Sequence, residues 1–274
     1  MKKVLIAILV RNKGHLLSTY LDYLKNFDYD KKSIVLYINT NNNKDNTEQI
    51  LEEWIKINNY YYSHIEYVKH NVNELNNDEK KPHSWNSTKL NNLAHIRENS
   101  LKKTIEYNCD YYFVADIDNF ILPHTLKILV SYNKDIIAPM LKCIPEKGDT
   151  RANFYFDKGN GYLKETPKYN LIFFKEIKGL IEIPVIHCTY LIRVDIIQKQ
   201  KISYFDEQND NWEFIKLMRN AKKNKVKTYL LNDNEYGVMF QLMTNKLDIN
   251  EEAEYFRKKK HILDEYYEKN CINL

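Results

Sequence analysis

Two carboxylates, Asp116 and Asp118, follow the apolar run Tyr111-Tyr112-Phe113-Val114-Ala115 without a break. If the chain stays extended there, alternating side chains place both carboxylates on one side, where they can share a cation. Two hard oxygen donors suit Mg²⁺ or Mn²⁺, which bridge a diphosphate and neutralise the charge that develops as it leaves. A D-x-D alone is weak, since roughly one is expected by chance in a chain this rich in Asp. Asp28-Tyr29-Asp30 is such a case: it has no apolar strand before it and reads as a solvated turn. For Asp116 and Asp118 the plainer alternative is a polar strand end with capping carboxylates.

A second acidic pair, Asp210 and Glu213, flanks Trp212 at the start of a helical pattern. Either residue could take a proton from an attacking hydroxyl, and either could simply cap or favour the helix start. His187 ends an apolar run beside Cys188 and Thr189, where a core histidine and a substrate contact are both open readings. The chain has only six glycines, and Gly159-Asn160-Gly161 neither follows a strand nor opens a helix. This argues against a dinucleotide-binding loop and a P-loop, and a metal would have to do the phosphate work instead.

The elements around these residues alternate. Val4 to Val10 is a continuous apolar run, the mark of a strand covered on both faces. Leu16 to Leu24 has helical spacing, Ser33 to Ile38 is a second strand, and Asp45 can cap a helix carrying Ile50, Leu51, Trp54 and Ile55. Ile65 to Val68 reads as a third strand, Asn71 to Pro82 as a polar excursion, Trp85 to Tyr107 as a long helix and Tyr111 to Ala115 as a fourth strand. This order predicts an α/β fold with a mostly parallel, Rossmann-like central sheet and helices on both faces. Ligands bind such sheets beyond the carboxyl ends of the strands, where Arg11, Asn39 and Asp116 fall. Further along come a short strand Asp135 to Ala138, a loop-rich segment Pro139 to Pro167, a buried strand Ile183 to Ile192, a helix Asn211 to Lys223, a strand Val226 to Leu230 and a helix Glu251 to Tyr267.

Composition narrows the class. A hydrophobic fraction of 43% with 22 tyrosines can bury a substantial core, and the net charge of +4 is dispersed, which argues against a nucleic-acid binder. The four cysteines lack metal-finger spacing. The N-terminal apolar run is too short for a signal peptide and no stretch reaches the roughly 18 apolar residues of a membrane span, so a cytoplasmic location is expected. We expect one domain, with residues 1–119 as a nucleotide-binding half and 120–274 as an acceptor half.

With these pieces in order, the chain resembles the N-terminal domain of procollagen galactosyltransferases and, more distantly, the glycosyltransferase domain of multifunctional lysyl hydroxylases. The resemblance runs through Val10-Arg11-Asn12, Asp45-Asn46-Thr47, Trp85, Ile96-Arg97, Val114 to Asn119, Ala138 to Leu141, Asn153-Phe154, Gly161-Tyr162, Thr166-Pro167, Ile183 to Thr189 and Glu235-Tyr236-Gly237. It implies a GT-A fold and a metal-dependent, inverting transfer of galactose or glucose from a UDP-sugar to a hydroxyl of a protein acceptor, hydroxylysine in collagen-like sequence. It also implies roles. Val10, Arg11, Asn12 and Asn39 would line the nucleoside pocket, with Trp85 and Arg97 closing over base or diphosphate and Ala115, Asp116 and Ile117 completing the donor site. Asp116 and Asp118 would hold Mn²⁺ or Mg²⁺, and Asn153, Tyr155 and His187 would face the acceptor. Glu213 matches an acidic position of the family and is the preferred base, with Asp210 as helix cap.

One departure concerns a third metal ligand, often His, expected after Glu235-Tyr236-Gly237, where Lys246 stands. Weaker metal binding, a contact from Lys246 or Asp248, and lost activity all follow as alternatives. The competing classes are a sugar-nucleotide-binding module without turnover and a nucleotidyltransferase, for which Arg11-Asn12-Lys13-Gly14 is a poor triphosphate loop.

Overall fold

A computed structural model describes residues 1–70, 86–144, 148–157, 163–164, 166–208, 212–241 and 248–271. In chain order the elements of the first half are β1 (Val4–Val10), α1 (Gly14–Lys25), β2 (Ile34–Asn41), α2 (Thr47–Asn58), β3 (His64–His70), α3 (Ser87–Glu106) and β4 (Tyr111–Ala115). Then follow β5 (Asn119–Ile121), α4 (Thr125–Tyr132), β6 (Ile136–Pro139), β7 (Lys142–Ile144), β8 (Phe154–Asp157), β9 (Leu163–Lys164), α5 (Pro167–Phe173), β10 (Leu180–Glu182), β11 (Val185–Ile186) and β12 (Thr189–Arg193). The chain closes with α6 (Val194–Gln200), α7 (Glu213–Lys223), β13 (Thr228–Leu231), β14 (Gly237–Phe240) and α8 (Ile249–Cys271).

Eight strands form the central sheet in the order β10-β13-β6-β12-β4-β1-β2-β3. The block β4-β1-β2-β3 is parallel throughout, and β12 enters antiparallel between β4 and β6. Two small sheets, β11-β8-β9 and β5-β14-β7, stand beside it.

The unbroken apolar runs of β1, β2 and β4 have the cause inferred from sequence: both faces of each strand are buried. Val4, Ile6, Ile8, Ile34, Leu36, Tyr111 and Phe113 pack on one face with α1, α4 and α8. Leu5, Ala7, Val35, Tyr37, Tyr112 and Val114 pack on the other with α3, α5, α6 and α7. Helices therefore cover both faces of a mostly parallel sheet.

Two local expectations are corrected. The run Ile183 to Ile192 is not one strand. Cys188 adopts φ 63° and splits it into β11 and β12, which belong to different sheets. Asp45 does not cap the helix that follows; Asn46 occupies that position. Asp45 instead accepts from Gly14 N at 2.9 Å and from Thr47 N at 3.1 Å, tying the start of α1 to the start of α2. A Cβ on Gly14 would lie 2.0 Å from Asn46 Oδ1 and 3.2 Å from Asp45 Oδ2, so a larger residue there would require the Asn46 side chain to move.

Candidate active site

The loop after β1 is built by side chains that hold the backbone rather than by glycines. Asn12, at φ 53°, donates its N–H to Asn43 Oδ1 at 2.8 Å, and its own Oδ1 accepts from Lys44 N at 2.7 Å. Lys13 N donates to Thr47 Oγ1 at 2.9 Å, and Thr40 Oγ1 donates to the Val10 carbonyl at 2.7 Å. Val10 and Asn39 are buried at the carboxyl ends of β1 and β2, and Arg11 is half-buried beside them. Residues expected to line a nucleoside pocket are thus gathered at two adjacent strand ends, although the side-chain carbonyl of Asn12 is committed to holding the loop.

β4 ends at Ala115, whose carbonyl accepts the Tyr20 hydroxyl at 2.9 Å. The chain does not stay extended through the acidic motif, which corrects the picture of alternating carboxylates. Asn119 N donates to Asp116 O at 2.9 Å, closing a turn with Ile117 buried at its tip, and Phe240 N donates to Asp118 O at 2.8 Å. The two carboxylates consequently meet different neighbours. Asp116 is bonded by Nη2 of Arg97, from α3. Asp118 feels the charge of Lys13, which is itself ion-paired with Glu252 of α8. His15 Nε2 lies 3.6 Å from the same Glu252 carboxylate. Burial and the adjacent Asp116 charge push Asp118 up to about 7, with Lys13 pulling the other way.

Arg97 is 4% exposed and does not pair with Glu98 or Glu106 on the helix surface. Glu98 accepts from Ser203 Oγ and Tyr204 N, both at 2.9 Å. Behind Arg97, buried hydroxyls form a chain: Ser100 with Tyr112 at 2.7 Å, Tyr112 with Tyr204 at 3.3 Å, and Tyr204 with Tyr190. Glu213, the first residue of α7, is 6% exposed. Burial pushes its carboxyl up to about 7, Asp116 adding to the rise and Arg97 and Lys216 opposing it.

His187 is wedged between aromatic rings, stacked on Tyr155 at 5.2 Å and tilted against Phe214 at 5.2 Å. Its Nε2 lies 3.3 Å from the Ala152 carbonyl and its Nδ1 2.6 Å from Cys188 Sγ. Burial lowers it to about 4, so it is neutral at physiological pH. Asn153 is fully buried, and its amide joins Leu141 N and the Pro139 carbonyl, both at 2.8 Å. Its backbone carbonyl receives His187 N at 3.1 Å. Asn153 thereby fixes the strand behind His187 instead of facing an acceptor, since both ends of its amide are bonded to the main chain. Trp85, Asp210 and Lys246 lie outside the described residues.

A divalent cation fits the donor set as follows. Among the described residues no group of three His, Cys, Asp or Glu side chains converges, so the protein offers the two carboxylates of one turn. Mg²⁺-type ions on phosphate substrates are commonly held by one or two carboxylates plus phosphate oxygens and water. Asp118 is raised by burial first and by the neighbouring Asp116 charge second, and a cation bound there would offset both. Sequence reasoning missed Lys13, His15 and Glu252, which come together only because α8 returns to the β1 edge 239 residues after Lys13.

Comparison with known proteins agrees with this architecture. The family model described as glycosyltransferase family 25, N-terminal domain, matches residues 1–260. Human procollagen galactosyltransferase 2 is 31% identical over 86% of this chain, and the human inactive glycosyltransferase 25 family member 3 is 26% identical over 86%. The chain spans 38% and 40% of the lengths of these relatives. Among solved structures, TarS 1–349 of S. aureus in complex with UDP-GlcNAc superposes with a TM-score of 0.59 at 16% identity, covering 90% of this chain and 60% of that one. The mannosyltransferase PcManGT of Pyrobaculum calidifontis, in complex with GDP-Man and Mn²⁺, gives 0.56 at 12% identity over 95% of this chain and 62% of that one. The fold is thus GT-A, and the chain belongs to glycosyltransferase family 25, matching its N-terminal domain.

Proposed function

We propose that this protein transfers a hexose, galactose or glucose, from a UDP-sugar to a hydroxyl of a protein acceptor with inversion at the anomeric carbon. The observation that carries this reading is the acidic turn at the end of β4, where buried Arg97 pairs with Asp116, together with the buried Glu213, whose carboxyl feels the charges of both Arg97 and Asp116. The strand ends of β1 and β2 offer Val10, Arg11 and Asn39 to the nucleoside. Asp116 and Asp118 would hold Mn²⁺ or Mg²⁺ against the diphosphate, where the ion supplies Lewis-acid stabilisation of the departing UDP. Glu213, poised near neutrality, accepts the proton of the attacking hydroxyl at its free carboxylate oxygen. Neutral His187, stacked on Tyr155, shapes the acceptor side without adding charge.

The relatives named procollagen galactosyltransferases support a collagen-like protein acceptor, in which the family resemblance points to hydroxylysine. A second reading, a UDP-sugar-binding module without turnover, draws on the relatives named inactive and on the two-carboxylate donor set.

A panel of nucleotide sugars, with and without Mn²⁺ and with a collagen-like hydroxylysine peptide, separates the two. Metal-dependent turnover of one UDP-hexose, abolished in the Asp116→Ala, Asp118→Ala variant, is expected. Metal-dependent UDP binding with neither hydrolysis nor transfer would establish the module instead.

A further inference from the structure

Lys216 is a second ionisable residue on the buried face of α7 and is 0% exposed. Lysine is almost never buried completely unless its ammonium is engaged, because the charge gives up its hydration. Packing alone would be served as well by an apolar side chain of that volume. Lys216 N donates to Trp212 O at 3.1 Å, so the helix is regular across its first turn. Glu213 and Lys216, three residues apart, therefore lie on one side of it with Cβ atoms about 5–6 Å apart. Lys216 Nζ donates to Asn91 Oδ1 of α3 at 3.3 Å, which ties the ammonium to the neighbouring helix.

Among the described residues, the other titratable groups that act on Glu213 are Arg97 from α3, Asp116 from the turn after β4, Cys188 from the bend between β11 and β12, and Tyr190 from β12. His187 meets the same helix start through the Phe214 ring at 5.2 Å. Burial keeps His187 neutral and holds the Cys188 thiol and the Tyr190 phenol in their protonated forms. Arg97 favours the Glu213 anion, but it is paired with Asp116, whose charge acts the other way. Lys216 opposes burial at Glu213 from outside that pair.

We propose that Lys216 is a positioning residue for the transfer reaction: held by Asn91, its ammonium favours the Glu213 carboxylate and so keeps that group able to take the proton of the attacking hydroxyl. This rests on the reading of Glu213 as the base. A base must be ionised before the hydroxyl arrives, and a carboxyl buried this deeply without a cation on its own helix face would stay protonated further into the alkaline range.

Two readouts on the wild type, Lys216→Met and Lys216→Arg test this. One is an NMR titration of the Glu213 carboxyl carbon, assigned by its loss in Glu213→Gln. The other is the pH–rate profile of UDP-hexose transfer to a collagen-like hydroxylysine peptide with Mn²⁺. In Lys216→Met, which keeps the length and loses the charge, the NMR midpoint should rise by about one pH unit, an about tenfold smaller carboxylate fraction well below the midpoint. The acid limb of the rate profile should move by the same interval, and Lys216→Arg should return both toward the wild type. A merely structural role would scale the rate at every pH and leave both midpoints in place.

An unmoved NMR midpoint in Lys216→Met overturns the proposal. So does a wild-type midpoint at the ordinary 4.5, a result that needs no variant to fold. A raised NMR midpoint without matching movement in the rate profile, or a wild type that transfers nothing, removes the reading of Glu213 as the base, and the role of Lys216 with it.

Discussion

Glu213 occupies the first position of α7, where the helix dipole favours its anion, yet burial outweighs this and holds the carboxyl at about 7. The base form therefore predominates only above neutrality. The rate of transfer should rise with pH through about 7 and level off above it, and Glu213→Gln should lose about 10²- to 10⁴-fold in kcat while UDP affinity is kept. A pH–rate profile beside calorimetry checks both, and a profile flat from pH 6 to 8 would remove Glu213 from the proton transfer. Residue types at this scale were legible because they fall at element ends: Asp116 after an apolar strand, Glu213 at a helix start. Their partners were not. From sequence Arg97 had a plainer alternative, a surface pair with Glu98 or Glu106, and only the packing of α3 against the sheet turns it inward onto Asp116.

At the scale of elements, the first half was readable because doubly covered strands leave continuous apolar runs. β1 and β4 match their predicted bounds, β3 extends beyond its own at both ends, and β2 starts one residue later and runs three residues further than expected. The second half was harder because its strands are short, with β10, β11 and the partners of β14 depending on contacts between distant segments. Hydropathy showed one run from Ile183 to Ile192 and could not show the left-handed residue inside it. Cys188 at φ 63° turns His187 into the aromatic stack while its carbonyl accepts from Asp116 N at 3.0 Å. This one residue joins the aromatic stack around His187 to the acidic turn. Cys188→Gly should accordingly fold, whereas Cys188→Val, β-branched in a region it avoids, should be destabilised by roughly 1–2 kcal/mol or more relative to glycine. Urea denaturation of the pair checks this, and equal midpoints would contradict the backbone argument.

Across the whole molecule, the site is where the fold accepts unfavourable charge. α8 closes over the β1 edge through the Lys13–Glu252 pair and the packing of Phe256 against Phe120 and Phe240, and it places that pair near Asp118. Asp118 and Glu213 both titrate near 7 in the fold and near 3.8 and 4.5 when unperturbed. Between those values the native state holds protons that the unfolded chain has released, so each carboxyl lowers stability as pH rises through the window, most fully above about 7. His187 works the other way, neutral in the fold down to about 4 against 6.5 unperturbed, so its contribution grows with pH and is complete before the carboxylates finish ionising. Replacing the two acids by their neutral isosteres isolates their share. The Asp118→Asn, Glu213→Gln variant should melt close to the wild type near pH 3.5, below the window, and well above it at pH 8, because only the wild type has carboxyls that ionise more readily unfolded than folded. UDP with Mn²⁺ should narrow the gap at pH 8 by stabilising the wild type selectively, as a ligand bound by the native state alone must. Thermal melts at the two pH values, with and without UDP and Mn²⁺, decide it. A variant no more stable than the wild type at pH 8 would mean that the two carboxylates are already compensated in the free protein, and that cation binding is not needed to relieve them.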